Sequence, residues 1–260
     1  MRTTLNLRGF GAFLRKELLE TRKTWRLWVL PGLLVFIGLS TPILAALTPT
    51  LLKMTAGRQP GVVVKFPEPT SLDAYAQFMG NLAQLALLVI IITGAAAVAS
   101  ERRGGTAVLV LTKPLSRTSF VWAKVIANLV IVLVATAIGA ALCVLVTLAL
   151  FDSAHIVVFL ESVAVWLVLA AMFVCLMVWL SALLDKQAAA AGAGIAVYVA
   201  LFVLTGFPLL KERSPAGILA ASDALLKGKD VSLLQPIVAT LVLAVVFVLL
   251  AAWSFRRKEL

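Results

Sequence analysis

The sequence predicts an all-α integral membrane protein with six transmembrane helices, an N-terminal amphipathic elbow helix, and both termini in the cytoplasm. Three observations lead there. The 260 residues are 62% apolar with mean hydropathy +1.06, too little polar material to clothe a soluble domain of this size. Charge-free intervals recur six times: Arg26 to Lys53, Asp73 to Glu101, Lys124 to Asp152, Glu161 to Asp185, Lys186 to Lys211, and Asp230 to Arg256. They hold 23 to 27 residues each, whereas a spanning helix needs about 20, so each fits one helix and none fits two. The net charge of +11 is also unevenly placed. With the N-terminus inside, 16 of the 23 lysines and arginines fall on the cytoplasmic side, as the positive-inside rule requires.

The elements follow in order. Over residues 7–26, Leu7, Phe10, Leu14, Leu18 and Trp25 share one helical face, while Arg15, Lys16, Arg22, Lys23 and Arg26 lie opposite. A basic face beside an apolar one suits the headgroup region of an anionic leaflet. The first span, about 28–48, is read as a retained helix rather than a cleaved signal, because it follows a charged segment and shows no small-residue cleavage site. Pro31 and Pro42 inside it imply a bend or a local break. An outer loop, 49–80, carries Pro60, Gly61, Pro67 and Pro69 and reads as largely irregular. Spans follow at about 81–99, 124–150, 157–184, 188–207 and 236–255. Short links near Phe151–Ile156 and Asp185–Gln187 make spans three, four and five consecutive antiparallel neighbours. The outer segment 208–235 mixes leucines with charges, a composition suited to short helices packed on protein at the outer interface.

The inner loop 100–123 is the most distinctive segment. Gly104 and Gly105 end the second span, a short apolar helix can run from Thr106 to about Thr112, and Pro114 stops it. Ser116 or Thr118 can cap the helix that becomes span three. Within this loop Glu101, Arg102, Gly105-Thr106, the apolar Val108, Leu109 and Leu111, then Pro114, Ser116-Arg117 and Lys124 form a pattern that resembles the type-2 ABC transporter permeases. Arg15-Lys16-Glu17-Leu18 ahead of the first span is similar as well, and so is the closing Trp253-x-Phe-Arg-Arg-Lys-Glu-Leu. The doubled glycine departs from the single one usual in that family.

The resemblance implies a permease subunit of an ATP-driven exporter in the plasma membrane of a prokaryote. It implies a dimer, taken as a homodimer, served by two copies of a separate ABC ATPase. ATP and Mg would be bound in that partner. The chain itself has no Gly-x-x-x-x-Gly-Lys-Ser/Thr phosphate loop and no cofactor is expected in it. The loop from Glu101 to Arg117 would be the coupling helix that docks on the ATPase.

The remaining constellations are weaker. Gly192, Ala196 and Ala200 place small residues four apart in span five, a pattern for close helix contact at a subunit interface or within the subunit. Asn81, Gln84, Thr93 and Asn128 are the polar candidates for lining a pathway. His155 has only Asp152 near it in sequence, too few ligands for a metal. Cys143 and Cys175 sit within spans and read as small buried hydrophobes, without a disulfide framework. No Ser/His/Asp, Cys/His or paired-carboxylate arrangement suggests catalysis, which weighs against a lipid-modifying enzyme. A secondary transporter would carry buried acids or broken helices in paired halves, and the basic charge is explained by topology rather than nucleic acid.

Overall fold

The computed structural model describes residues 10–11, 13–17, 19, 26–56, 68–98, 117–152, 155–226, 228 and 232–257. Among the described residues the fold is entirely helical. Six helices are long and apolar enough to cross a membrane. They lie in α1 (Arg26–Ala56), α2 (Ser71–Gly94), α3 (Arg117–Leu150), α4 (Ile156–Leu183), α5 (Gln187–Leu204) and α8 (Leu234–Arg257). Two shorter helices, α6 (Pro208–Arg213) and α7 (Ala216–Leu226), lie between α5 and α8.

Of the bend or local break expected at Pro31 and Pro42, no break occurs: the first helix runs on through both and through Pro49. Each proline removes one N–H from the helical ladder. The hydroxyls of Thr41 and Thr48 donate to the carbonyls of Ile37 and Leu44, at 2.9 and 2.6 Å, beside these gaps.

The second span starts earlier than the sequence suggested, and the third starts where Ser116 and Thr118 offered a cap. The second begins at Ser71, not 81, so the outer loop is shorter than 49–80 at both ends. Asp73, which had marked the edge of the apolar interval, is the reason: its carboxylate accepts from the Thr70 N–H and hydroxyl, both at 2.8 Å, and so starts the helix. A single π-helical turn, Leu82–Ala86, interrupts α2 midway. The third span begins at Arg117, seven residues before Lys124.

The bundle is organised around α4, whose most apolar stretch is 72% buried, against 17% for α5 and 22% for α8. It packs most broadly on α8 and also touches α2, α3, α5 and α7. Met177 on α4 is the wedge between two glycines: a Cβ on Gly94 would lie 2.8 Å from the Met177 Cβ, and one on Gly194 would collide with its sulfur. The largest helix–helix contact joins α1 and α3. There the backbones cross at Gly38 and Gly139, and a Cβ on Gly139 would lie 2.8 Å from the Leu34 carbonyl oxygen.

The short helix α7 turns Ala216, Ile218, Ala221 and Leu226 into the bundle and packs on α4 and α2. Nearby, Tyr75 stacks on Phe159 at 4.2 Å and the Ser71 hydroxyl meets His155 Nδ1 at 3.3 Å. A second apolar cluster closes the other end of the bundle, joining Phe13, Val98, Phe120, Ala182 and Phe255.

Candidate functional site

That second cluster gathers segments far apart in sequence. Phe13 belongs to the N-terminal segment, whose described residues 10, 11, 13–17 and 19 are helical. Val98 and Phe120 lie on either side of residues 99–116. Ala182 precedes the α4–α5 turn, and Phe255 is near the end of α8. The N-terminal segment, the C-terminal helix and both flanks of the loop therefore share one end of the molecule.

Each flank is fixed by specific contacts. Where the chain leaves α2, Ser181 on α4 donates its hydroxyl to the Ala95 carbonyl at 2.8 Å and accepts from the Val98 N–H at 3.0 Å. These backbone groups would otherwise be left bare past the helix end. Where the chain enters α3, the Phe120 ring stacks on Phe255 at 5.0 Å and lies tilted against Phe13 at 5.4 Å.

One turn further on, Lys124 Nζ is 2.8 Å from Glu17 Oε2, with both side chains less than a tenth exposed. The same ammonium lies 5.3 Å over the Phe120 ring. Lys16 reaches Glu17 Oε1 at 3.4 Å and sits 5.4 Å over Phe13. One aromatic face and a carboxylate thus meet the buried Lys124 ammonium, an arrangement that offsets its desolvation. Pairing and stacking chemistry of this kind binds and holds; among the described residues no group of His, Cys, Asp or Glu could hold a metal.

Of the expected coupling residues, Glu101, Arg102, Gly105, Thr106, Val108, Leu109, Leu111, Pro114 and Ser116 lie outside the described residues. Arg117 is the first residue of α3. Gly192, Ala196 and Ala200 all face outward on α5, and nothing lies within 4 Å of a Cβ placed on Gly192. The inward small residues of that helix are Ala190 and Gly194.

The polar candidates lie on α2 and α3. Gln84 is exposed and Asn81 half-buried, both at the π turn. Thr93 donates to the Val89 carbonyl at 2.6 Å, and Asn128 to the Lys124 carbonyl at 2.8 Å, so each is satisfied on its own helix. Sequence reasoning missed the Glu17–Lys124 pair and the Gly38–Gly139 crossing. A signal for the second was present, since Ala135, Gly139 and Cys143 repeat small residues every four positions.

The family model for ABC-2 family transporter proteins matches residues 12–260. The chain belongs to the ABC-2 transporter family. Among curated proteins it is similar to the "Uncharacterized transmembrane protein YxlG" of Bacillus subtilis (strain 168), with 26% identity over 255 residues, covering 95% of this chain and 97% of the relative. As an ABC-2 chain with six apolar helices it is a multi-pass membrane protein and a transport subunit rather than an enzyme. ABC-2 permeases normally work with an ABC ATPase.

Proposed function

We propose that the chain is the permease subunit of an ATP-driven exporter and that its loop from Glu101 to Arg117 is the docking element for a separate ABC ATPase. Two permease subunits, taken as identical, form the pathway, and two ATPase copies supply ATP and Mg on the cytoplasmic side. The observation that carries this reading is the bracing of both loop flanks: Ser181 holds the exit from α2, and the Phe13–Phe120–Phe255 stack holds the entry to α3. A loop that receives force from a partner needs fixed ends, whereas a simple connector does not. Family membership supports an ATPase as that partner. The apolar Val108, Leu109 and Leu111 in the loop sequence offer anchors for a groove.

The test is co-expression with the candidate ATPase, taken as the product of the neighbouring gene. Leu109→Asp or Glu101→Ala leaves permease levels in the membrane unchanged and lowers ATPase recovery by about tenfold, the effect of losing one anchoring contact. Undiminished recovery with both variants would reduce the loop to a connector.

A further inference from the structure

We propose that the cleft between α3 and α4 is a lipid site: it holds one acyl chain of a phospholipid whose amine headgroup sits against Glu161, in the leaflet on the side of the α3–α4 turn.

A cleft of about 570 Å³ opens between the two helices, within the range of about 300 to 1,000 Å³ usual for ligand pockets. Its walls include Ala137, Ala141 and Val144 on α3 and Leu160, Val163 and Ala164 on α4, and every lining residue is apolar. The alanines keep it open. Ala137, Ala141 and Ala164 are exposed, and larger side chains there would fill the furrow between the helices. Both helices are membrane spans, so the cleft lies at the depth of hydrocarbon.

Length selects an acyl chain. Along α4 the cleft runs from Ile156 to Leu167, a rise of about 16 Å. One leaflet contributes about 15 Å of hydrocarbon, half of a core about 30 Å thick. The 28 residues of α4 extend about 42 Å, overhanging that core by about 6 Å at each end. The cleft therefore starts near the membrane boundary and ends near the midplane, which is the run of a single chain.

Charge selects the headgroup. Asp152 and Glu161 are the only charged residues between Lys124 and Asp185, and both are exposed. In a chain of net charge +11, the tip of this hairpin is acidic. Glu161 follows Leu160 directly and lies one turn before Ala164, about 8 Å from the start of α4. Its carboxylate thus stands beside the cleft at headgroup level, with no ion pair among the described residues. It attracts a headgroup ammonium and repels an anionic headgroup. An apolar helix of a second copy laid in the cleft would instead desolvate that carboxylate.

The experiment uses the full-length protein in vesicles of equal parts phosphatidylethanolamine and phosphatidylglycerol. Trace probes of either headgroup carry the same diazirine-bearing acyl chain, and photolabelled peptides are read by mass spectrometry. The ethanolamine probe should label residues 133–145 and 156–167 about fivefold more than the glycerol probe, the preference one exposed ion pair supplies. It should also label them more than the outward face of α8, where Val238, Leu241 and Val245 are exposed. Glu161→Gln should equalise the two probes while the cleft stays labelled. Ala141→Phe from one wall, or Ala164→Phe from the other, should bring cleft labelling down to the α8 level in protein that melts as the unmodified chain does. Cleft labelling no stronger than on α8 would reduce the site to general lipid contact and overturn the proposal. Equal labelling by both probes in the unmodified chain would overturn it as well, as would cleft labelling that survives both phenylalanines. A cleft closed to both probes, with dimerisation weakened by Ala141→Phe, would assign it to a second copy instead.

Discussion

Tyr198 shows how much of this molecule turns on single polar atoms. Its hydroxyl, carried on α5, donates to the Ala83 carbonyl of α2 at 3.0 Å. Ala83 lies in the π turn, where the regular α-helical pairing of carbonyls is displaced. The tyrosine therefore supports a local irregularity beside Asn81 and Gln84, the polar residues that face away from the helix core. Tyr198→Phe removes the bond while keeping the ring, which lies edge-on to Phe173 at 6.3 Å. An interhelical hydrogen bond in a membrane protein contributes about 0.6 to 1 kcal/mol. The variant should melt about 2 °C lower in detergent, and hydrogen exchange in α2 should rise around residues 82–86. Unchanged exchange there would mean that the π turn stands without it.

At the scale of the element, α5 carries glycines with opposite surroundings two positions apart. Gly194 leaves no room, because Met177 and Ile91 already fill the space a Cβ would take. Gly192 faces open space in the subunit. Gly194→Leu should then destabilise the subunit itself by about 1 to 3 kcal/mol through overpacking, seen as a lower melting temperature. Gly192→Leu should leave the melting temperature of the isolated subunit unchanged and weaken dimerisation in nanodiscs by blocking close helix approach. Unaltered dimer content would move the interface off α5.

The same scale shows what could be read beforehand. All six spans were legible because lipid tolerates few unpaired charges, so charge-free intervals mark them well. The late start expected for α2 came from carrying the proline-bearing outer loop on past Asp73, whereas the start of α3 lies where Ser116 and Thr118 offered a cap. Asp73 is engaged by Thr70 at the N-terminus of α2, and Lys124 by Glu17, so neither marks where its helix begins. The Thr70-x-x-Asp73 spacing was readable as a capping signal, whereas the partner of Lys124, 107 residues away, was not. Pathway residues stayed illegible for a different reason: in the proposed dimer, the pathway would be lined by faces that are outer surface in one copy.

At the scale of the whole molecule, the N-terminal segment, both loop flanks and the end of α8 lie at one end, and the basic excess of the sequence belongs to that side. Cysteines placed at Lys113 and Lys65 test the orientation. A membrane-impermeant maleimide added to intact cells should label position 65 and spare position 113; the reverse pattern would invert the topology. The central position of α4 has a further consequence, for the order of events during synthesis. Its broadest neighbour is α8, with Trp179 stacked on Phe247 at 5.5 Å, and Phe120 likewise meets Phe255 only in that last helix. About 50 residues separate the end of α4 from the start of α8, so at a translation rate of about 5 to 20 residues per second the most buried helix waits seconds in the bilayer half-clothed. Completion of the bundle is thereby tied to completion of the chain, which gives membrane proteases a means of telling finished permeases from interrupted ones. A chain stopped after Lys229 should insert its first five spans and then disappear in pulse-chase faster than the full-length protein, and supplying Leu234–Arg257 as a separate segment should lengthen its lifetime.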